Sequence, residues 1–181
     1  MELRTARLRL REITEEDAPA IHSHERLIEV MRYTPNAPRT LEETLARIRL
    51  GLADAAESPR HVFDFAMELE GQLIGRVGCR VLEVPSQGTI WWICHPDHQG
   101  RGYSTEGITA VIDFAFSTLA LHRVYAEIDP RNAASLRVAE KLGLRREAHL
   151  RECEFMQGEW VDSVLCATLA REWIAARAKP L

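Results

Sequence analysis

Between Thr89 and Leu119 the apolar positions change period. Thr89-Ile90-Trp91-Trp92-Ile93-Cys94 is a continuous β-branched and aromatic run, and Pro96 closes it because a ladder that needs an N–H donor cannot continue through proline, so it predicts a strand. Ile108, Val111, Ile112, Ala115 and Leu119 then recur at three- and four-residue spacing, the stripe of a helix buried on one face. Upstream, Leu8 and Leu10 alternate with Arg7, Arg9 and Arg11 in a first strand. Thr14 with Asp17 caps a first helix, and Thr40-x-x-Glu43 opens a second that runs to about Ala56, with Pro35 and Pro38 between them. Residues 62–69 and 73–83 are strand-like around Glu70-Gly71-Gln72, a hairpin turn, and 88–94 is their third antiparallel neighbour. Downstream, Arg123 to Ile128 predicts a strand and Ala133 to Leu142 a helix stopped by Gly143. Residues 145–156 and 160–169 predict two strands that meet at Gln157-Gly158. A strand, a helix and a strand in one sheet require a parallel, right-handed crossover. The fold class is therefore mixed α/β, with a sheet antiparallel at its start, parallel in the middle and antiparallel at its end.

Composition narrows the function. A chain of 181 residues fits one domain, 1–181, and buries a core without disulfides or structural metal. A formal net charge of -4 argues against a nucleic-acid partner, and the alternating arginines near the N-terminus read as a solvated strand face. Cys79, Cys94, Cys153 and Cys166 form no Cys-x-x-Cys pair, no apolar leader opens the chain, and no apolar run approaches the ~18 residues a membrane span needs. A cytoplasmic protein with reduced cysteines and no membrane partner is expected. His22/His24 and His95/His98 lack a third ligand at a suggestive spacing, so no metal is expected.

The chemistry concentrates at the change of period, where Gln99-Gly100-Arg101-Gly102-Tyr103-Ser104 joins strand to helix. A helix start leaves backbone N–H groups without internal partners and adds roughly half a positive charge, which favours a phosphate there. Gly100 and Gly102 let a pyrophosphate approach those groups, and Arg101 adds a fixed charge. The segment is neither Gly-x-x-x-x-Gly-Lys-Ser/Thr nor Gly-x-Gly-x-x-Gly, since Thr105 occupies the last glycine position of the latter. It resembles instead the Gln/Arg-x-x-Gly-x-Gly/Ala signature of the GNAT superfamily of N-acetyltransferases, with Ser104 in the final small position. Asp129-Pro130-Arg131-Asn132-Ala133-Ala134-Ser135 followed by Glu140-Lys141-Leu142-Gly143-Leu144 is similar to the family's next element. Gly158-Glu159-Trp160-Val161-Asp162 is similar to the closing hairpin of its branch that acetylates ribosomal-protein N-termini.

That resemblance implies a splayed central sheet flanked by helices, acetyl-CoA as co-substrate, and a pantetheine arm lying in the splay against the backbone of Ile93 and Cys94. The cofactor set it implies is Ile93, Cys94, Gln99, Gly100, Arg101, Gly102, Tyr103, Ser104 and Asn132. The acceptor is a primary amine, and the branch suggests a protein N-terminus. Polyamines, aminoglycosides and a non-catalytic acyl-CoA sensor are the alternatives, and the branch also suggests a homodimer. An attacking amine must be neutral: near pH 7 this costs roughly 1 kcal/mol for an α-amine of pKa about 7.7 to 8.0 and about 4.6 kcal/mol for a lysine. Glu154 is the expected base, directly or through water, with Glu152 as runner-up because strand alternation places both on one face. The tyrosine acid common in the family is replaced by Ala139, the best support for the sensor reading, and Ser135 is the substitute that the ribosomal branch suggests. Asn132 caps the helix that follows it. The backbone N–H of Cys94 is the candidate oxyanion donor, with direct attack favoured over an acetyl-cysteine.

Overall fold

The computed structural model describes residues 1–84 and 86–178. The chain runs β1 (Glu2–Arg4), β2 (Arg9–Glu12), α1 (Ala18–Glu25), α2 (Ile28–Met31), α3 (Leu41–Ala56), β3 (Val62–Leu69), β4 (Gln72–Val81) and β5 (Gln87–Cys94). It continues through α4 (Tyr103–Ser117), β6 (Arg123–Ile128), α5 (Ala133–Lys141), β7 (Arg145–Met156), β8 (Glu159–Leu169) and α6 (Ala170–Arg177). The strands form one sheet in the order β1-β2-β3-β4-β5-β6-β8-β7. Among the described residues only β5 and β6 pair in parallel, joined by α4, so the mixed sheet expected from the sequence is present.

The strand β1 and the helix α2 are not expected from the sequence, and two further differences are local. The first helix begins later than Thr14, because Asp17 folds back: its carboxylate accepts from the Thr14 N–H at 2.8 Å and from both terminal nitrogens of Arg11 at 2.7 Å, which holds Glu15–Asp17 as a 3-10 turn. The last strand also passes directly into α6, whose Trp173 indole donates to Asp113 on α4 at 2.7 Å.

One face of the sheet buries Phe65, Met67, Val77, Ile90 and Val124 against the α4 stripe of Ile108, Val111 and Ile112. The other buries Ile13, Ile21, Ile48 and Ala66 under α1 and α3. On this second face the Trp91 indole covers Gly78, where a Cβ would collide with it.

The feature that makes a site is the β5/β6 junction. Pairing there is confined to Gln87↔Arg123, Gly88↔Val124 and Thr89↔Tyr125. Beyond it β5 stays on β4 as far as Cys94 while β6 stays on β8 as far as Ile128, so the two halves of the sheet part. The N–H of His95 donates to Ile74 at 2.8 Å. Antiparallel alternation then turns the odd residues of β5 toward β4 and the backbone groups of Trp92 and Cys94 toward the gap. Ile93, expected to share that role, stands opposite Arg76 of β4, and its carbonyl lies where a Cβ on Gly75 would collide with it.

Candidate active site

At the mouth of the gap, Gly100 (φ 74°) and Gly102 (φ 83°) both lie in the left-handed region, and Gly102 is the N-cap of α4. Among the described residues, no backbone N–H from Gly100 to Thr105 meets an intramolecular acceptor. Gln99 ties this turn to the sheet by donating its Nε2 to the Cys94 carbonyl at 3.0 Å. Glu106 in the first turn would repel an anion, but it is answered by the Arg7 backbone N–H at 2.8 Å and its Nε at 2.6 Å, and by the Thr5 hydroxyl. Burial pushes the Glu106 carboxyl up, yet these bonds hold it below the usual carboxylate range.

A cleft of about 270 Å³ runs from this turn into the gap, lined by Gln99, Gly100, Gly102, Tyr103, Ser104, Cys94, Ile93, Asn132 and Ser135. The structure therefore brings the expected cofactor set together, with one exception: Arg101 is exposed and does not line the cleft. Its place is taken by Arg137 and Lys141, one turn apart on α5, which the sequence reading missed. Their only sequence signal is the four-residue spacing on one helix face. The row of free N–H groups with two cations opposite suits a phosphorylated ligand.

A second cleft, of about 420 Å³, lies on the α1/α3 side and shares Tyr33, Thr34, Trp92, Ile93, Asn132 and Ser135 with the first, so the two meet inside the splay. Asn132 accepts from the Ser135 N–H at 3.0 Å, capping α5 as expected and holding Ser135 at this meeting point. Ala139, one turn further, is buried in the core and lines neither cleft. The Cys94 thiol is buried, which pushes its pKa up to about 11 despite a hydrogen bond with Ser104. It is protonated at neutral pH and is a poor nucleophile there.

The carboxylates depart from expectation. Glu154 on β7 stands opposite Val161 and is half-buried, but it does not line either cleft. Glu152 does not continue its alternation: the pairing shifts between Leu150 and Glu154, Glu152 has φ 46°, and its N–H is held by Asp162 at 2.9 Å. The carboxylates that do line the second cleft are Asp64 and Asp129, paired with Arg76 and Arg131, and Glu127 on β6. Although it opens to the cleft, the walls withdraw enough water to raise its carboxyl above the usual range, and the like charge of Glu154 raises it further. By sequence Glu127 is only an exposed position on an alternating strand. Among the described residues, no three His, Cys, Asp or Glu side chains gather as metal ligands.

Residues 7–145 match the model of the acetyltransferase (GNAT) domain. The chain is 31% identical over 173 residues to the uncharacterized N-acetyltransferase YnaD of Bacillus subtilis, covering 96% of this chain and 99% of that one. It is 24% identical over 179 residues to the spermidine N(1)-acetyltransferase of Escherichia coli, covering 96% and 91%. Its fold superposes with a TM-score of 0.84 at 16% identity, over 93% of this chain and 98% of the other, on RimL, a ribosomal L7/L12 α-N-protein acetyltransferase solved with coenzyme A. The chain belongs to the GNAT family of acetyltransferases. It is an N-acetyltransferase that takes its acetyl group from acetyl-CoA and delivers it to an amine.

Proposed function

We propose that the acceptor is the α-amine of a protein N-terminus, acetylated by direct attack within a ternary complex. The observation that carries this reading is the charge of the acceptor cleft. It is lined by the guanidinium groups of Arg39, Arg47, Arg76 and Arg80 against the carboxylates of Asp64, Glu127 and Asp129. A polyamine brings further ammonium groups, which that lining would repel; a peptide brings one amine and a neutral backbone. An α-amine also needs only a weak base, about 1 kcal/mol near pH 7.

In this reading Glu127, at the acceptor side of the splay, receives the amine proton, and Glu154 behind it raises its affinity for that proton. The amine nitrogen bonds to the acetyl carbon as the carbon–sulfur bond breaks. The Cys94 N–H, turned into the gap, meets the negative charge that develops on the carbonyl oxygen. Ser135, whose backbone N–H the Asn132 side chain caps, gives its hydroxyl proton to the departing sulfur and regains one from solvent.

The competing acceptor is spermidine, favoured by the full-length similarity to an enzyme of that name. Mass spectrometry of one mixture of acetyl-CoA, free N-terminal peptides, spermidine and an aminoglycoside separates them. Peptide products acetylated at the α-amine are expected; acetylspermidine with no peptide product would overturn the reading.

A further inference from the structure

The acceptor cleft holds more positive charge than its own carboxylates use. Glu25, with a side chain 1% exposed, sits between Arg76 at 2.6 Å and Arg39 at 3.3 Å, and Arg76 also reaches Asp64 at 2.7 Å. Asp129 is taken by Arg131 at 2.6 Å. Among the described residues, Arg47 and Arg80 have no carboxylate partner, and the remaining carboxylate, Glu127, belongs to the reaction. Arg47 is half-buried on α3, where a guanidinium without a counterion is costly. The crowding is registered by its neighbour: burial, with Arg76 and Arg47 nearby, weakens the hold of Arg39 on its proton against the pull of Glu25.

The sheet fixes where that surplus lies relative to the reacting amine. Arg80 pairs with Thr89 and Thr89 with Tyr125, so Arg80 and Glu127 share a face, Glu127 two residues further along β6. Two strand spacings across and two residues along amount to ~12 Å at the level of the backbone. An extended peptide covers that in about three to four residues.

We propose that this enzyme selects protein N-termini with an acidic side chain within about the first four residues, the carboxylate being gripped by Arg47 and Arg80 while the α-amine meets Glu127. The inference rests on the N-terminal reading and adds its specificity. Excess guanidinium groups attract such a chain during encounter and pair with it in forked geometry once bound.

The test uses hexapeptides with a free N-terminal alanine, identical except for Asp-Asp, Asn-Asn or Lys-Lys at the second and third positions. The expected kcat/KM for the Asp-Asp peptide exceeds that for Asn-Asn by about tenfold or more, with Lys-Lys lowest. The preference shrinks toward unity in an Arg47→Gln/Arg80→Gln variant whose thermal midpoint shows it folded. In the wild-type enzyme it also weakens as salt rises from low to physiological and beyond, a readout that does not depend on the variant. Equal rates on all three peptides, or a preference untouched by both salt and the double substitution, would overturn the specificity and leave the N-terminal reading standing. Acetylation of spermidine with none of the peptides modified would overturn both.

Discussion

A carboxyl that takes a proton from an amine is most effective when its own pKa is drawn toward the working pH, and Glu127 is drawn there by the cleft walls and by Glu154. Glu127→Gln is expected to cut kcat/KM by about 10²-fold or more. Glu154→Gln removes the neighbouring negative charge, so the acid limb of the kcat/KM profile should move to lower pH; an unmoved limb would show that Glu154 does not act on the base. The stability sign is opposite to that of a salt-bridged acid. A carboxyl whose folded pKa is raised weakens folding as pH climbs past its unfolded value, so Glu127→Gln should melt no lower than wild type at pH 7. Cys94 belongs to the same scale. With its thiol pushed up to about 11, Cys94→Ala should keep turnover to within a few fold, and no acetylated enzyme should accumulate without acceptor. A burst of acetyl-enzyme would refute direct attack.

Among the elements, the β7/β8 hairpin governs the acceptor side from a distance. Its turn, Gln157 (φ 50°) and Gly158 (φ 93°), extends the Gln157 Nε2 to the carbonyls of Met31, Thr34 and Asn36 at 3.1, 2.9 and 3.2 Å. Those carbonyls belong to the end of α2 and the segment after it, which supplies Tyr33 and Thr34 to both clefts. Gln157→Ala should therefore raise the acceptor KM several-fold while CoA affinity, set mainly on the turn before α4, stays close to wild type; equal losses in both would contradict this division. The hairpin itself was legible, since a glycine turn between two β-rich runs is a local signal. So were the donor turn and the crossover, whose glycines and change of period lie next to each other in the chain. What escaped was non-local. The bulge at Glu152 depends on an Asp162 carboxylate from the opposing strand, and Glu127 is raised by a residue on β7, with β8 lying between them. The four guanidinium groups of the acceptor cleft come from α3, the segment before it, and β4. No window of sequence contains those juxtapositions.

For the molecule as a whole, the splay turns the Cys94 N–H and the first N–H groups of α4 toward open space, so a ligand that fills it should stabilise the fold. CoA at about 100 times its dissociation constant is expected to add about 2.7 kcal/mol, a midpoint rise of roughly 5 to 10 °C for a domain of this size. Gly102→Glu, which forces a carboxylate and a side chain onto a left-handed backbone beside Arg7, should abolish most of that rise. An undiminished shift in that variant would move the phosphate site elsewhere.

The strand order has a consequence in time. β8, the last of the described strands, lies between β6 and β7, and among the described residues it is the one strand that pairs with β6 along the stretch that holds Glu127 beyond the splay. The glycine turn, α4 and the sheet through β5 therefore precede in the chain every strand of the wall that faces them. The donor cleft is complete only once α5 has supplied Asn132, Ser135, Arg137 and Lys141, and the stretch of β6 that bears Glu127 gains its strand partner later still, with β8.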